Sequence, residues 1–414
     1  MTGDLSTGTL VVGGSIGGVR TVQQLRRLGY DRPVTLVEAE THAPYDRPPL
    51  SKEVLNDETW TAPTLLDRSA AADLDVDLLL GSAAVAVDPQ ARLVTLADGR
   101  RIGYDALVVA TGARARRSPW SGQDRVHELR TLDDGRSLRD VLETTESLVI
   151  IGAGFIGAEV ASAAQRRGVA VDLVDVAPVP MGRHLGDEVG ARFVELHARH
   201  GVRAHFGTGV ASLESVGDGV TARLADGTVL TAGAAVVGLG TELNLEWLGE
   251  SGLTLEDGLV CDAFCRAAPG VFAVGDVSRW WHPGLDRLVR TEHWTNAVEQ
   301  AAVVAHNIAR PDEPRQHSPV GYVWSNQYDW KVQIAGRPGD GERHELVEGK
   351  PGQFAAMYAD ADDVLCGVLT VNWPAVSVRG RKSLASPTAF GSAQERLFPA
   401  RTAPVADERG AGQR

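Results

Sequence analysis

The chain has 414 residues, more than one hydrophobic core supports, and its length suits two or three domains. Hydrophobic residues make up 43% and charged residues 23%, a balance that excludes disordered and fibrous classes. With 41 basic against 54 acidic residues the net charge is −13, which speaks against nucleic acid as a bulk partner. No apolar run reaches membrane-spanning length and no basic–apolar leader precedes the first strand, so the expected location is cytoplasmic.

That first strand begins at Thr9 and runs into Gly13-Gly14-Ser15-Ile16-Gly17-Gly18, a glycine turn followed by a predicted helix over 19–28. Ser15 stands where a dinucleotide fingerprint has its middle glycine. A second strand, 34–38, ends in Glu38, with Glu40 just beyond. Next comes a loop over 41–52 in which Pro44, Pro48 and Pro49 forbid regular structure and stiffen the chain around Arg47 and Lys52. It reads either as a surface connector or as a device for presenting Lys52.

A short helix is expected near 69–73, then a hairpin-like region over 84–88 and 93–96, turned by Asp98-Gly99. Residues 104–113 form a buried strand ending in Ala110-Thr111-Gly112, which puts backbone at the carboxyl edge of the sheet, where ligands of such sheets sit. Arg114, Arg116 and Arg117 follow, and on their own they read as a solvated crossover. The segment 129–134 opens a helix with an acidic first turn.

The strongest signal lies at 147–160. An apolar strand leads into Gly152-Ala-Gly154-Phe155-Ile156-Gly157 and a small-residue helix, and a further strand ends in Asp175. Gly152 makes the tight turn, Gly154 admits a pyrophosphate, Gly157 lets the helix pack on the sheet, and Asp175 is placed for the ribose hydroxyls. A helix over 188–200, a hairpin at 220–224 turned by Asp226-Gly227, and a strand closing at Gly240 repeat the plan of the first half.

Two dinucleotide folds in one chain imply two dinucleotides whose reactive ends meet, usually a flavin and a nicotinamide. On that reading Lys52 is presented to the flavin ring. Asp175 favours NADH, since a carboxylate repels a 2′-phosphate, whereas Arg183 and His184 downstream would favour NADPH. The strand ending in Gly275-Asp276 returns a carboxylate to the first domain. The helix opening at 291–300 offers its N-terminus to a ring carbonyl. A linker at 311–319 precedes strands of a small mixed domain, and from about Ser386 a mobile tail is expected. Cys261, Cys265 and Cys366 form no Cys-x-x-Cys pair and none is near a glycine turn, so a dithiol relay is disfavoured.

Taken together, residues 44–52, Ala110-Thr111-Gly112, 152–159, Gly275-Asp276, Glu292-His293-Trp294 and 324–328 resemble the FAD-dependent, pyridine-nucleotide-linked ferredoxin reductases, the group of putidaredoxin reductase and of the reductase components of ring-hydroxylating dioxygenases. The resemblance implies an α/β architecture with two Rossmann-like, glutathione-reductase-like domains for FAD and NAD plus a C-terminal α+β domain. Its expected limits are 1–113 and 242–319 for FAD, 114–241 for NAD, 320–390 for the C-terminal domain and 391–414 for a flexible tail. It implies FAD contacts at Gly13, Ser15, Ile16, Gly17, Gly18, Glu38 or Glu40, Arg47, Lys52, Val85, Ala110, Thr111, Gly112, Arg130, Gly275, Asp276, Glu292, His293 and Trp294. NAD contacts are implied at Gly152, Gly154, Phe155, Ile156, Gly157, Glu159, Asp175 and Gly240. Lys52 and Glu159 are implied to pair beside the flavin as the catalytic residues, with no metal.

The expected reaction is hydride transfer from NADH to flavin N5, then single-electron delivery to a 2Fe–2S ferredoxin that supplies a haem monooxygenase or Rieske dioxygenase. Arg114, Arg116, Arg117, Lys331 and Arg337 are candidates for docking an acidic ferredoxin. Two other readings are a dithiol reductase and an apoptosis-inducing-factor-like flavoprotein whose output is a partner interaction.

Overall fold

The computed structural model describes residues 8–57 and 59–399. The chain forms two compact units, one of residues through Met181 together with Gly190–Pro319, the other of Gly182–Val189 with the chain from Val320 onward.

The first unit is built on two parallel sheets. In one, the strands run in the order Arg266–Ala268, Val271–Ala273, Ala106–Val109, Thr9–Val12, Val34–Val37 and Val76–Leu79, with only the Arg266–Ala268 edge antiparallel. Thr9–Val12 and Ala106–Val109 are buried at every position, as befits apolar runs covered on both faces. Alternation splits their side chains between two cores. Leu10, Val12, Leu107 and Val109 pack against Val94, Leu96 and Trp280, while Val11 and Val108 pack against the helices carrying Val19, Val22, Leu25 and Val304.

The second sheet is parallel throughout, in the order Arg203–Phe206, Ala170–Asp175, Ser147–Ile151, Ala234–Val237 and Val126–His127. The chain enters this region through Ala113–Ala115 and leaves through Thr241–Leu243, and these two strands pair antiparallel. The helix Leu132–Thr144 starts with a capping box, Thr131 and Asp134 satisfying each other's backbone N–H groups. Each half also carries a three-stranded antiparallel sheet, Ala84–Asp88 with Leu93–Leu96 and Arg101–Gly103, and Val210–Val216 with Gly219–Leu224 and Val229–Ala232.

Two expectations need correction. Asp98-Gly99 does not turn the 84–88 strand onto the 93–96 strand; it joins the latter to Arg101–Gly103. The first reversal is made by an Asx turn at Asp88, whose carboxylate accepts the Gln90 and Ala91 N–H groups, and by Arg92 at φ +54. The mobile tail expected from about Ser386 is also wrong as far as Pro399. Phe390–Leu397 is a helix that buries Phe390, Ala393 and Leu397 against Val368 and Val376 of the second unit, with Phe398 buried behind it. The remainder of that tail, 400–414, lies outside the described residues.

The second unit is an α+β body. Its antiparallel sheet runs in the order Tyr322–Gln327, Trp330–Gly336, Leu365–Val371, Phe354–Ala359 and Arg343–Glu348, with helix Pro374–Leu384 packed on it. Among the described residues no helix is long and apolar enough to cross a membrane.

Two histidines of the first unit are buried without charge. Burial, reinforced by His200, pushes His197 down to about 4, and burial, reinforced by His282, pushes His317 down to about 3. Both values lie below the ordinary 6.5, so the unfolded chain binds more protons in the window between. Their contribution to stability is therefore complete above pH 6.5 and is lost as pH falls toward 4 and 3, with a limiting slope of about 1.4 kcal/mol per pH unit for each histidine. Urea midpoints should fall steadily between about pH 6.5 and 5. A His197→Phe variant should fall less steeply; an identical pH dependence would contradict this account.

Candidate active site

The two glycine turns have the same construction. Gly13 and Gly152 sit at φ +110 and +105, a conformation that side chains rarely adopt. A Cβ on Gly18 would overlap the Gly13 carbonyl oxygen, and one on Gly157 the Gly152 carbonyl oxygen, so each helix packs as close as bare backbone allows. The middle positions explain the serine. Ser15 (φ −83, ψ −167) and Gly154 (φ −72, ψ −174) share one extended backbone, and a Cβ at Gly154 meets nothing within 4 Å. The space in front of both helix N-termini is open, as a pyrophosphate requires.

A carboxylate ties down each turn. Glu38 accepts the Gly14 N–H at 2.5 Å and the Glu40 N–H at 2.9 Å. Asp175 accepts the Ala153 N–H at 2.7 Å and the Ala177 N–H at 2.8 Å. Glu38 occupies the position equivalent to Asp175, whereas Glu40 pairs with Arg47 at 2.9 Å and takes the Tyr45 hydroxyl at 2.7 Å.

Beside the first turn lies a cleft of about 510 Å³, within the range of small-molecule sites. Of the expected FAD residues its wall includes Gly13, Ser15, Ile16, Gly17, Glu38, Glu40, Arg47, Val85, Ala110, Thr111, Gly112, Arg130, Gly275 and Asp276. Gly18, Lys52, Glu292, His293 and Trp294 are not on that wall. Gly18 serves packing instead, and Trp294 opens the helix Trp294–Ala309 whose Ala297 does line the cleft.

Arg130 donates to the Ala113 carbonyl at 2.8 Å and pairs with Asp276 at 3.3 Å, while Arg47 donates to the Arg130 carbonyl at 2.6 Å. Burial raises the Asp276 carboxyl above its usual range, against the pull of Arg130, and burial lowers Arg130. Asp276 is a half-buried acceptor held at a cleft wall, suited to sugar or ribityl hydroxyls.

Four positions that sequence reasoning missed hold expected site residues in place, two of them at this wall. Asn244 clamps the Thr111-Gly112 corner, its amide donating to the Thr111 carbonyl at 2.8 Å and its N–H to the Gly112 carbonyl at 3.0 Å. Gln300, fully buried, accepts the Gly275 N–H at 2.8 Å. Asp46 accepts the Trp294 indole N–H at 2.8 Å, and Ser51 donates to Glu159. Each is a single polar residue in an unremarkable context; only its partner gives it meaning.

Lys52 and Glu159 meet across the two dinucleotide folds. The ammonium lies 2.8 Å from a carboxylate oxygen of Glu159, which is only 3% exposed. Phe155, Ile156 and Glu159 all belong to the helix that follows the second glycine turn, with Ile156 exposed at its mouth. Gly240 lies just past the adjacent strand Ala234–Val237, its carbonyl taking the Arg116 N–H. Glu292 receives the Thr241 hydroxyl at 3.0 Å and pairs with Arg290.

Arg183 and His184 fall in the short helix Gly182–Leu185 of the second unit. Of the docking candidates, Arg114 and Arg116 pair with Glu242, Arg114 also with Glu246, and Arg337 with Asp340. Arg114, Arg116, Arg117 and Lys331 are all exposed, and Arg337 is half-buried.

The cysteines do not form a relay. None lines the cleft; Cys261 and Cys265 are buried and Cys366 half-buried, all as free thiols. Burial pushes Cys261 up to about 12, Cys366 up to about 11 and Cys265 higher still, so none is a thiolate near neutrality.

Two dinucleotide cradles, joined in one body by an ion pair whose carboxylate is buried, define a nucleotide-linked oxidoreductase, and no cysteine lines the cleft. A family model described as pyridine nucleotide-disulphide oxidoreductase matches residues 7–301, and one described as reductase C-terminal matches residues 322–396. The chain belongs to the pyridine nucleotide-disulphide oxidoreductase family. It is 36% identical to the ferredoxin–NAD(+) reductase component of the p-cumate 2,3-dioxygenase system of Pseudomonas putida, over 88% of this chain and 90% of that one. It is 34% identical to rhodocoxin reductase of Rhodococcus erythropolis, over 91% and 89%. Among solved structures, the covalent putidaredoxin reductase–putidaredoxin complex matches with a TM-score of 0.89 at 29% identity, covering 96% of this chain and all (100%) of that one.

The shared construction of the turns makes a direct prediction. Ser15→Gly should lower stability by only a few tenths of a kcal/mol, the usual cost of glycine for serine at a helix N-cap. Gly18→Ala, which drives a methyl into the Gly13 carbonyl, should cost at least about 1–3 kcal/mol. Thermal melts of the two variants would compare them, and equal losses would contradict the geometry.

Proposed function

We propose that this chain is an FAD-dependent NADH:ferredoxin reductase, passing electrons to a 2Fe–2S ferredoxin that serves a haem monooxygenase or a Rieske dioxygenase. The observation that carries the reading is the Lys52–Glu159 pair, with its carboxylate buried, which joins two dinucleotide cradles beside a cleft that no cysteine lines. The names of the relatives, a dioxygenase reductase component and a rhodocoxin reductase, support the same class. The cytoplasm is the location that goes with it.

The residues of the first cradle fit FAD: an open glycine turn, the Glu38 carboxylate for a ribose, and the Arg130–Asp276 wall for the pyrophosphate and ribityl chain. The second cradle fits NADH, with Asp175 for the adenosine ribose. A flavin held in the first cradle would supply hydride acceptance from NADH and single-electron release to an iron–sulfur cluster.

No protein nucleophile is needed; the chain aligns, tunes and excludes water. Lys52 has three ammonium N–H groups. Glu159 and the Pro48 carbonyl (3.3 Å) take two, which leaves one for the ring edge, where a positive charge favours electron-rich flavin. Asp46 fixes the Trp294 indole at the start of its helix. Arg117 and Lys331 are the cations to test for ferredoxin docking.

Anaerobic mixing of the holoenzyme with NADH and a 2Fe–2S ferredoxin should reduce the cluster rapidly while the flavin cycles. A flavin that bleaches while every ferredoxin stays oxidised would favour a signalling flavoprotein, and no bleaching would overturn the hydride step. Lys52→Ala and Glu159→Gln should each slow flavin reduction about tenfold or more; unchanged rates in both would remove the pair from the chemistry. NADPH should be used less well than NADH, and Asp175→Ala should narrow the gap.

A further inference from the structure

Ser51 ends the tight turn Pro48–Ser51 and is 3% exposed, yet its hydroxyl does not cap that turn. It reaches out of its own loop and donates to the Glu159 oxygen that also takes the Lys52 ammonium. Two consecutive residues of one loop therefore converge on a single oxygen of a carboxylate carried by the nucleotide-binding helix Phe155–Arg166. The loop is rigid where this happens. Pro48 and Pro49 fix its backbone, Leu50 is buried, and the Lys52 N–H returns to the Pro49 carbonyl at 3.1 Å.

We infer that Ser51 is a positioning residue for hydride transfer: its hydroxyl locks the Glu159 carboxylate in one orientation and thereby fixes where the Lys52 ammonium points. This rests on the reading of Lys52 and Glu159 given above. The terminal torsion of a carboxylate is broad, and turning about it carries a bound ammonium along. A second, short-armed donor from the same stiff turn removes that freedom.

Contact between helix and loop does not depend on the hydroxyl. Arg167, just past the end of the same helix, donates twice to the Leu55 carbonyl, at 2.9 and 2.7 Å. Removing the Ser51 hydroxyl leaves that tether in place, so the loss falls on the orientation of the ion pair.

The test is anaerobic stopped-flow reduction of the flavin-loaded enzyme by NADH. Ser51→Ala should lower the limiting rate about fivefold to tenfold while the half-saturating NADH concentration stays within about twofold. Its flavin content and melting temperature should stay close to those of the parent. In a Lys52→Ala background the same substitution should have almost no further effect, because Ser51 acts through the lysine. A purely structural serine would instead lower the melting temperature and act equally in both backgrounds. If Ser51→Ala loses its flavin, Ser51→Cys, similar in size but a weaker donor, carries the same expectation. An unchanged limiting rate in the Ser51 variant, with a slowed Lys52→Ala enzyme, would overturn the inference and leave the pair's role standing. Unchanged rates in Lys52→Ala and Glu159→Gln would overturn both, since nothing would remain for Ser51 to position.

Discussion

The first unit depends on one repeated hydrogen bond, from the backbone N–H after a left-handed glycine to a carboxylate at the end of the neighbouring strand. Glu38 makes it to Gly14 and Asp175 makes it to Ala153. The bond holds the turn against its parallel neighbour and leaves the helix N-terminus facing open space. It also sets an acid at the rim of that space, where ribose hydroxyls can compete for its lone pairs. Both halves therefore present an open helix N-terminus and a carboxylate beside it, from backbone conformation and one side chain, with no basic residue at the turn itself.

What distinguishes the halves is how their surroundings are finished. The first has a deep wall in which Arg47, Arg130 and Asp276 interlock, braced from behind by Asn244 and Gln300. Such a wall favours a cofactor that stays. The second has an exposed Ile156 at the mouth of its helix. That is the form expected of a site whose ligand comes and goes. The two meet at Lys52 and Glu159, where a partly exposed cation and a buried anion come from different folds. A buried charge is tolerated only when it is paired, so each fold completes the other at this point.

Much of this was legible in the sequence, for reasons that are physical. Glycines at +φ positions, acids at strand ends and all-apolar buried strands leave signals that survive without any neighbour being known. The ion pair of Lys52 with Glu159 followed from the resemblance, and their spacing alone would not have revealed it. Asn244, Gln300 and Ser51 were opaque because each acts on a partner distant in the chain, and an isolated amide or hydroxyl has no period. The reversal at Asp88 was missed because its turn uses an Asx bond and an arginine at φ +54 where a glycine was sought. The helix Phe390–Leu397 was hidden by a polar, small-residue composition, although its buried positions 390, 393 and 397 lie along one helical face.

The strand pair Ala113–Ala115 and Thr241–Leu243 carries a consequence for how such a chain can change over time. The segment between them begins and ends side by side, three residues matched against three, with Arg114 and Arg116 riveted to Glu242. Apart from Gly182–Val189, which belongs to the second unit, everything from one strand to the other is thus a cassette on a two-wire socket. Replacing it with another domain whose ends lie equally close would leave the path of the surrounding sheet unbroken, so nucleotide preference can be exchanged as a module while the rest of the molecule keeps its own history.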